Sequence, residues 1–263
     1  MKPETEELLH SLLWCMDVLA NPTFRNLTDS YESWLYRRGF QHQINRLERA
    51  RLLERQKRQA GDSKNRLYRL TALGRLRALG GRDPQARWAR PWDGLWRWIA
   101  FDVPMSKEAH RHWLRRYLAG RGFGCLQGSV WVTPEPMEQE RQHLVAGNIH
   151  VNSLILLEGR ACAGETDEKI VAGAWDFDTI NQRYERYMKI LRERPGGNVA
   201  NETEAKLLRA WADSERKGWW RAVSSDPLLP ECLLPVVYLG KEAWRQRLQT
   251  LRLAGRQIQG FGH

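Results

Sequence analysis

Residues 37–90 hold 16 Lys and Arg against four acids, Glu48, Glu54, Asp62 and Asp83, a formal charge of +12. The whole chain carries +11, so everything outside this stretch nets −1. The charge is therefore a local device and not a general property of the surface. The order read along this stretch is a short helix, a glycine, a second helix, a basic hairpin and a closing helix. Dense positive charge on a helix-turn-helix followed by a wing suits the grip of a phosphate backbone.

Leu8, Leu9, Leu12, Leu13, Met16 and Leu19 recur at helical spacing and predict a first amphipathic helix, ended by Asn21-Pro22. Asp29, with Glu32 three residues on, suits the cap of a second helix carrying Tyr31, Trp34 and Leu35 and stopping near Gly39. A third helix is expected over 40–50. At about 100° per residue, Phe40, Ile44 and Leu47 share one side of it. His42, Asn45, Arg46 and Arg49 share the opposite side, with Gln41 at its edge. An apolar back would pin the helix. A front of Asn, Gln, His and Arg matches a major groove, where Arg pairs with guanine and Asn or Gln with adenine.

The same front would serve equally as a solvated face, and the segment that follows tips the reading. Residues 52–56 and 66–70 read as two strands around a polar, basic loop, 57–65, that contains Gly61. Thr71 is placed to cap a closing helix through Leu79, with Leu73, Leu76 and Leu79 on one side. This is the order of a winged helix-turn-helix over about 1–85. The candidate DNA-binding residues on the recognition helix are Gln41, His42, Asn45, Arg46 and Arg49. Arg58, Lys64 and Arg66 of the wing would meet phosphates or the minor groove, and Arg37 and Arg38 would sit at the turn near the backbone.

An apolar fraction of 42% in 263 residues describes globular structure with room for two or three domains. No apolar run approaches the ~18–20 residues needed to span a bilayer. Residues 1–7 are acidic and lead into an amphipathic helix, unlike a signal peptide. A cytoplasmic protein without a membrane partner is expected. Cys15, Cys125, Cys162 and Cys232 are scattered with no CxxC, which fits free thiols rather than a zinc site. His110 and His112, two apart, would point to different faces of a helix. No metal and no cofactor are expected.

Gly80-Gly81-Arg82-Asp83-Pro84 opens a linker. In WDGLWRWIAFDVP (92–104), Leu95, Ile99 and Phe101 alternate with Trp96, Trp98 and Ala100, as in a strand that is apolar on both faces and so buried. Ser106 would cap a helix through Leu118. Residues 120–124 turn the chain, 125–133 read as a hairpin ended by Pro134-Glu135-Pro136, 138–146 as a polar helix and 151–158 as a strand. Strand–helix–strand–strand–helix–strand is the ferredoxin-like plan, placed with its linker at 86–165. Residues 166–263 read as mainly helical. Helices are expected over 179–193, 202–216 and 242–253, with Trp219-Trp220-Arg221 leading into a Pro-rich DPLLPECLLP (226–235). The fold class expected is α+β.

Taken together these segments resemble the PaaX-like transcriptional regulators, the repressors of phenylacetate-degradation operons and their relatives. The resemblance rests on WDGLWRWIAFDVP, GFGCLQGSVWVTP (122–134) and DPLLPECLLP, in that order. INRLERARLL (44–53) and YRLTALGR (68–75) fit the winged-helix part, so nearly the full length is covered. It implies a winged helix, a central domain similar to the ferredoxin-fold proteins of CRISPR adaptation, and a C-terminal helical domain. It also implies a homodimer that binds a palindromic operator in double-stranded DNA and releases it when an aryl-CoA thioester binds. The chain departs from the family pattern at 221–226, which is less apolar, and at Tyr238, where the pattern has tryptophan.

An aryl-CoA effector would need aromatic walls and a few cations. Trp175, Arg183, Tyr184, Trp219, Trp220 and Arg221 are of the right types, but such aromatics equally build cores, and the pocket is left unplaced. Asp102 stands where the CRISPR ferredoxin-fold proteins keep an acid associated with metal-dependent nuclease activity. A metal nuclease gathers several carboxylates, and here Val103 and Pro104 follow, with Glu108 the next acid. A capping or turn-fixing role is expected for Asp102, and no catalytic residue is assigned. The leading expectation is a dimeric, sequence-specific repressor that is not an enzyme. The alternatives are a metal-dependent nuclease acting through Asp102 and an architectural DNA-binding protein without effector response.

Overall fold

Ile44 and Leu47 are fully buried, which gives α1 (Phe40–Arg49) the apolar back expected of it. The computed structural model describes residues 23–24, 40–55, 68–78, 82–103, 108–137, 153–197 and 201–259. They form a mixed α+β structure in two units. One comprises Met1–Asp83, Tyr184–Val223 and Leu239–His263, the other Pro84–Arg183 and Ser224–Tyr238.

α1 ends on two backbone bonds, Leu52 N to Leu47 O and Arg51 N to Glu48 O, both 2.9 Å, with Arg51 at φ 55°. Glycine usually makes this left-handed stop; here an arginine does. β2 (Leu53–Arg55) follows and pairs antiparallel with β3 (Tyr68–Leu70), Leu53 opposite Leu70. β3 also pairs with β1 (Thr23–Phe24), which two residues are too few to announce by periodicity. Thr71 caps α2 (Ala72–Ala78) as expected, its Oγ1 accepting from Gly74 N at 2.9 Å and donating to Arg51 O at 2.7 Å. α2 meets the start of β2 so closely that a Cβ on Gly74 would lie 1.9 Å from Leu52 O. The helices expected at 8–19 and 31–35, and the loop 57–65, lie outside the described residues.

The second unit begins with α3 (Pro84–Trp88), in the stretch read from sequence as linker. Five residues show no helical period, and Pro84 suits the first helical position, where its missing N–H is not needed. A four-stranded antiparallel sheet follows, built of β4 (Trp96–Asp102), β5 (Gly124–Gln127), β6 (Val130–Thr133) and β7 (Ser153–Gly159). α4 (Glu108–Gly120) joins β4 to β5. The order β5-β6-β4-β7 is that of two split strand–helix–strand units. The polar helix expected over 138–146 and the cap expected at Ser106 lie outside the described residues.

Register sorts the two faces of this sheet. Ile99 lies opposite Trp131 and Leu156, and Phe101 opposite Leu154. With Val103, Leu114, Leu118 and Phe123 they make the core beneath α4. Arg97 closes the end of this face. Its Nε donates to Glu158 Oε2, across the strand pair, at 2.7 Å, and its other nitrogens reach both oxygens of Asp93 and the carbonyls of Leu95 and Pro134. The Arg97 hydrogen bond holds the Asp93 carboxyl below its ordinary range, against a smaller opposing effect of burial.

On the other face Trp96 donates its indole N–H to Asp167 Oδ1 at 2.8 Å and packs 6.1 Å from the Trp175 ring. Both partners come with α5 (Asp167–Ala174), capped by Thr166. α5 presses on Gly124, where a Cβ would come within 2.6 Å of Ala174 Cβ and Trp175 Cε2. The Pro-rich segment belongs to this unit. Buried Asp226 accepts from Leu228 N at 2.7 Å and from the Tyr238 hydroxyl at 2.5 Å, while the Tyr238 ring meets Trp88 and Phe177 edge-on.

The remaining helices are α6 (Phe177–Arg192), α7 (Glu202–Val223) and α8 (Gly240–Gln259). α7 runs past the expected end at 216, because Trp211, Glu215, Trp219 and Ala222 continue one buried stripe. α8 is likewise longer at both ends than 242–253. At the centre of the bundle Arg247 and Glu215 are both almost wholly buried. Arg247 Nε donates to Glu215 Oε1 at 2.7 Å, and the Tyr187 hydroxyl donates to the same oxygen at 2.6 Å. The guanidinium stands 4.7 Å from the centre of the Trp219 ring. Burial first, and then the Glu215 charge, push the Tyr187 hydroxyl well above its ordinary value, so it stays a donor.

Two substitutions probe these packings. Glu215→Ala leaves the Arg247 cation buried without its carboxylate and should cost roughly 3–5 kcal/mol, read as a lower urea midpoint. Gly74→Ala drives a methyl into the Leu52 carbonyl and should cost about 1–3 kcal/mol. Amide exchange should report that loss at Leu53 and Leu70 and leave the protection of β4 unchanged.

Candidate nucleic-acid interface

The front of α1 is the part of the proposed interface that the described residues contain. Asn45 and Arg46 are half-buried and Arg49 is exposed, all turned away from Ile44 and Leu47. Gln41 and His42 lie in the first turn of the same helix, and only their backbone is described. Arg37, Arg38, Arg58, Lys64 and Arg66 lie outside the described residues. α1, the β2–β3 pair and α2 are joined by short bonds, Thr71 N to Leu52 O at 3.1 Å and Thr71 Oγ1 to Arg51 O at 2.7 Å. A helix front held this way keeps its donors in fixed register with the strand pair that follows it.

Two further cations of this region, Arg51 and Arg77, are exposed and were not singled out from the sequence. Arg51 stands one turn beyond Glu48, in the left-handed stop of α1. A basic residue where glycine is the ordinary choice is a signal that could have drawn attention to it.

Asp102 is exposed at the end of β4, opposite Ser153. Among the described residues no three His, Cys, Asp or Glu side chains are grouped so as to hold a metal ion. His110 and His112 are both exposed on α4, with His112 3.5 Å from Glu108. Cys125, Cys162 and Cys232 are exposed free thiols. No helix among the described residues is long and apolar enough to cross a membrane.

The residues named as effector-site types have varied roles. Tyr184 and Trp219 are core, their ring centres 6.2 Å apart. Trp175 is buried and donates its N–H to Gly122 O at 3.3 Å. Trp220, Arg183 and Arg221 are exposed.

Residues 89–171 match the family model described as the PaaX protein central Cas2-like domain. Residues 175–257 match that of the PaaX-like protein C-terminal domain. Both matches lie C-terminal to α1 and the β2–β3 pair. No curated protein matches the chain significantly. Among solved structures, the uncharacterized protein Rv0674 from Mycobacterium tuberculosis is similar over 97% of this chain and 96% of that chain, with a TM-score of 0.53 and 18% identity. At that identity the likeness speaks for the fold alone.

Proposed function

Because the chain belongs to the PaaX-like family, we propose that it is a cytoplasmic, dimeric, sequence-specific DNA-binding repressor rather than an enzyme. The observation that carries this reading is the divided helix α1, apolar behind and polar in front, within the stretch that concentrates the chain's positive charge. Residues 1–85 act as the winged helix-turn-helix, 86–165 as the ferredoxin-like centre and 166–263 as the helical domain. In a two-fold dimer the two copies of α1 enter successive major grooves of a palindromic operator, about 34 Å apart. Gln41, His42, Asn45, Arg46 and Arg49 read base edges. Arg37, Arg38, Arg58, Lys64 and Arg66 hold phosphates. Bound at a promoter, the dimer blocks polymerase.

Release follows from linkage. An aryl-CoA thioester that prefers a dimer of different spacing lowers operator affinity by its differential binding energy. The exposed apolar face of the central sheet supports the dimer. Ile155 is 51% and Leu157 57% exposed, on the face that α4 does not cover, opposite Ala100 and Trp98. A patch of this kind is self-complementary under a two-fold axis.

Arg46→Ala should weaken binding to an operator selected from random duplexes by ~1–3 kcal/mol and relax the choice of one base. Unchanged operator affinity in the folded variant would remove α1 from the reading. Lys64→Ala should instead weaken all sequences alike and lower the log–log salt slope by about 1. Leu157→Glu should shift sedimentation from dimer to monomer and reduce operator binding with it. A variant that stays dimeric would place the interface elsewhere.

A further inference from the structure

α8 has two unlike sides. Ala243, Trp244, Arg247, Leu251 and Ala254 are buried and share one of them. Lys241, Arg245, Arg252 and Arg256 are all exposed. At about 100° per residue these four fall within about 60° of arc, centred opposite the buried side. Exposed Gln249 fills the gap in the row. From Lys241 to Arg256 the row is about 22 Å long, at about 1.5 Å per residue.

The row is a local concentration of charge. α8 holds five Lys/Arg and one acid; with Arg247 buried against Glu215, the four exposed cations and Glu242 leave a net +3 on this side. The one acid, Glu242, is engaged by Arg245, which donates from Nε at 2.8 Å and Nη2 at 2.5 Å, and by Gln246 at 2.6 Å. The Arg245 hydrogen bonds, first, hold its carboxyl down to about 2. Arg245 is thereby laid along the helix, in line with the other three.

We propose that this row is a second, sequence-independent seat for duplex DNA, resting on the sugar–phosphate backbone beside the operator. The inference depends on the DNA-binding reading above and extends it to a second surface. Duplex DNA offers one phosphate per about 3.4 Å along each strand, so the row spans about six phosphate steps. Three of its four cations are arginines; Arg245 holds its fork on Glu242 and adds charge, while Arg252 and Arg256 carry the planar guanidinium that pairs with phosphate through two parallel bonds. A lipid surface fits less well. A helix lying in a bilayer interface must turn its apolar side outward, and that side of α8 is buried, with Trp244 5.3 Å from the Trp219 ring.

The test uses the full chain with Lys241→Gln, Arg245→Gln, Arg252→Gln and Arg256→Gln together, and a second variant with only Arg252→Gln and Arg256→Gln. Binding is measured to a duplex confined to the selected operator and to the same operator carrying long flanks, across a salt series. The wild type should bind the flanked duplex about 10-fold more tightly, with a steeper salt slope. The quadruple variant should lose that advantage, its slope on flanked DNA falling by about 3–4, and the double variant should lose about half of it. On the confined operator both should match the wild type. Variants that keep the wild-type advantage on flanked DNA overturn the inference. A wild type that binds its operator with no dependence on flanks overturns it too, while leaving the repressor reading standing. A wild type that selects no operator overturns both.

Discussion

β4 has to be covered on both faces. Ile99 and Phe101 point one way and Trp96 the other, and all three are buried. One face draws in Leu114 and Leu118 of α4, and the other takes Asp167, Ala174 and Trp175 with α5. The second cover is only partial. It reaches the Trp96 end, where Gly124 leaves room for Trp175, and stops short of Ile155 and Leu157. A single chain thus covers most of its central sheet and leaves an apolar remnant at Ile155 and Leu157.

Charge is handled in two opposite ways in this protein. Where a cation enters the interior it brings carboxylates with it. Arg97 has Asp93 and Glu158, and Arg247 has Glu215 with the Tyr187 hydroxyl on the same oxygen. Such pairs answer a desolvation cost and carry no affinity for anything outside. Where cations stay on the surface, as Lys241, Arg245, Arg252 and Arg256 do, their own helix supplies a single acid. Surface charge of that kind gains little for the fold and much toward a polyanion, because neutralising phosphates releases condensed counterions.

The departure from the family pattern at Tyr238 shows how a local difference is absorbed. Its ring packs against Trp88 and Phe177 as an apolar side chain would, while its hydroxyl donates to the buried Asp226 carboxylate. Asp226 and Tyr238 are twelve residues apart, and nothing in the pattern of either segment announces the pair. Trp175 and Gly122 are similar: an indole donor and a carbonyl acceptor 53 residues apart that meet because the end of α5 packs against Gly124.

What the sequence determined by itself is whatever depends on near neighbours. The periodicity of 40–50, the alternation of 96–101 and the Thr71 cap are all set within a turn or a strand, and each element stands where that signal lies. The sign and the crowding of charge over 37–90 were equally legible, since counting needs no fold. The tertiary structure alone decided the rest. α3 and α5 are too short for a period to emerge, and α7 and α8 extend as far as their buried stripes find a partner. Whether Arg247 is a core residue and Arg245, two positions away, a surface one depends on which side of α8 meets α7. Burial is a property of neighbours brought together from far along the chain, and a one-dimensional pattern records only the side on which they must come.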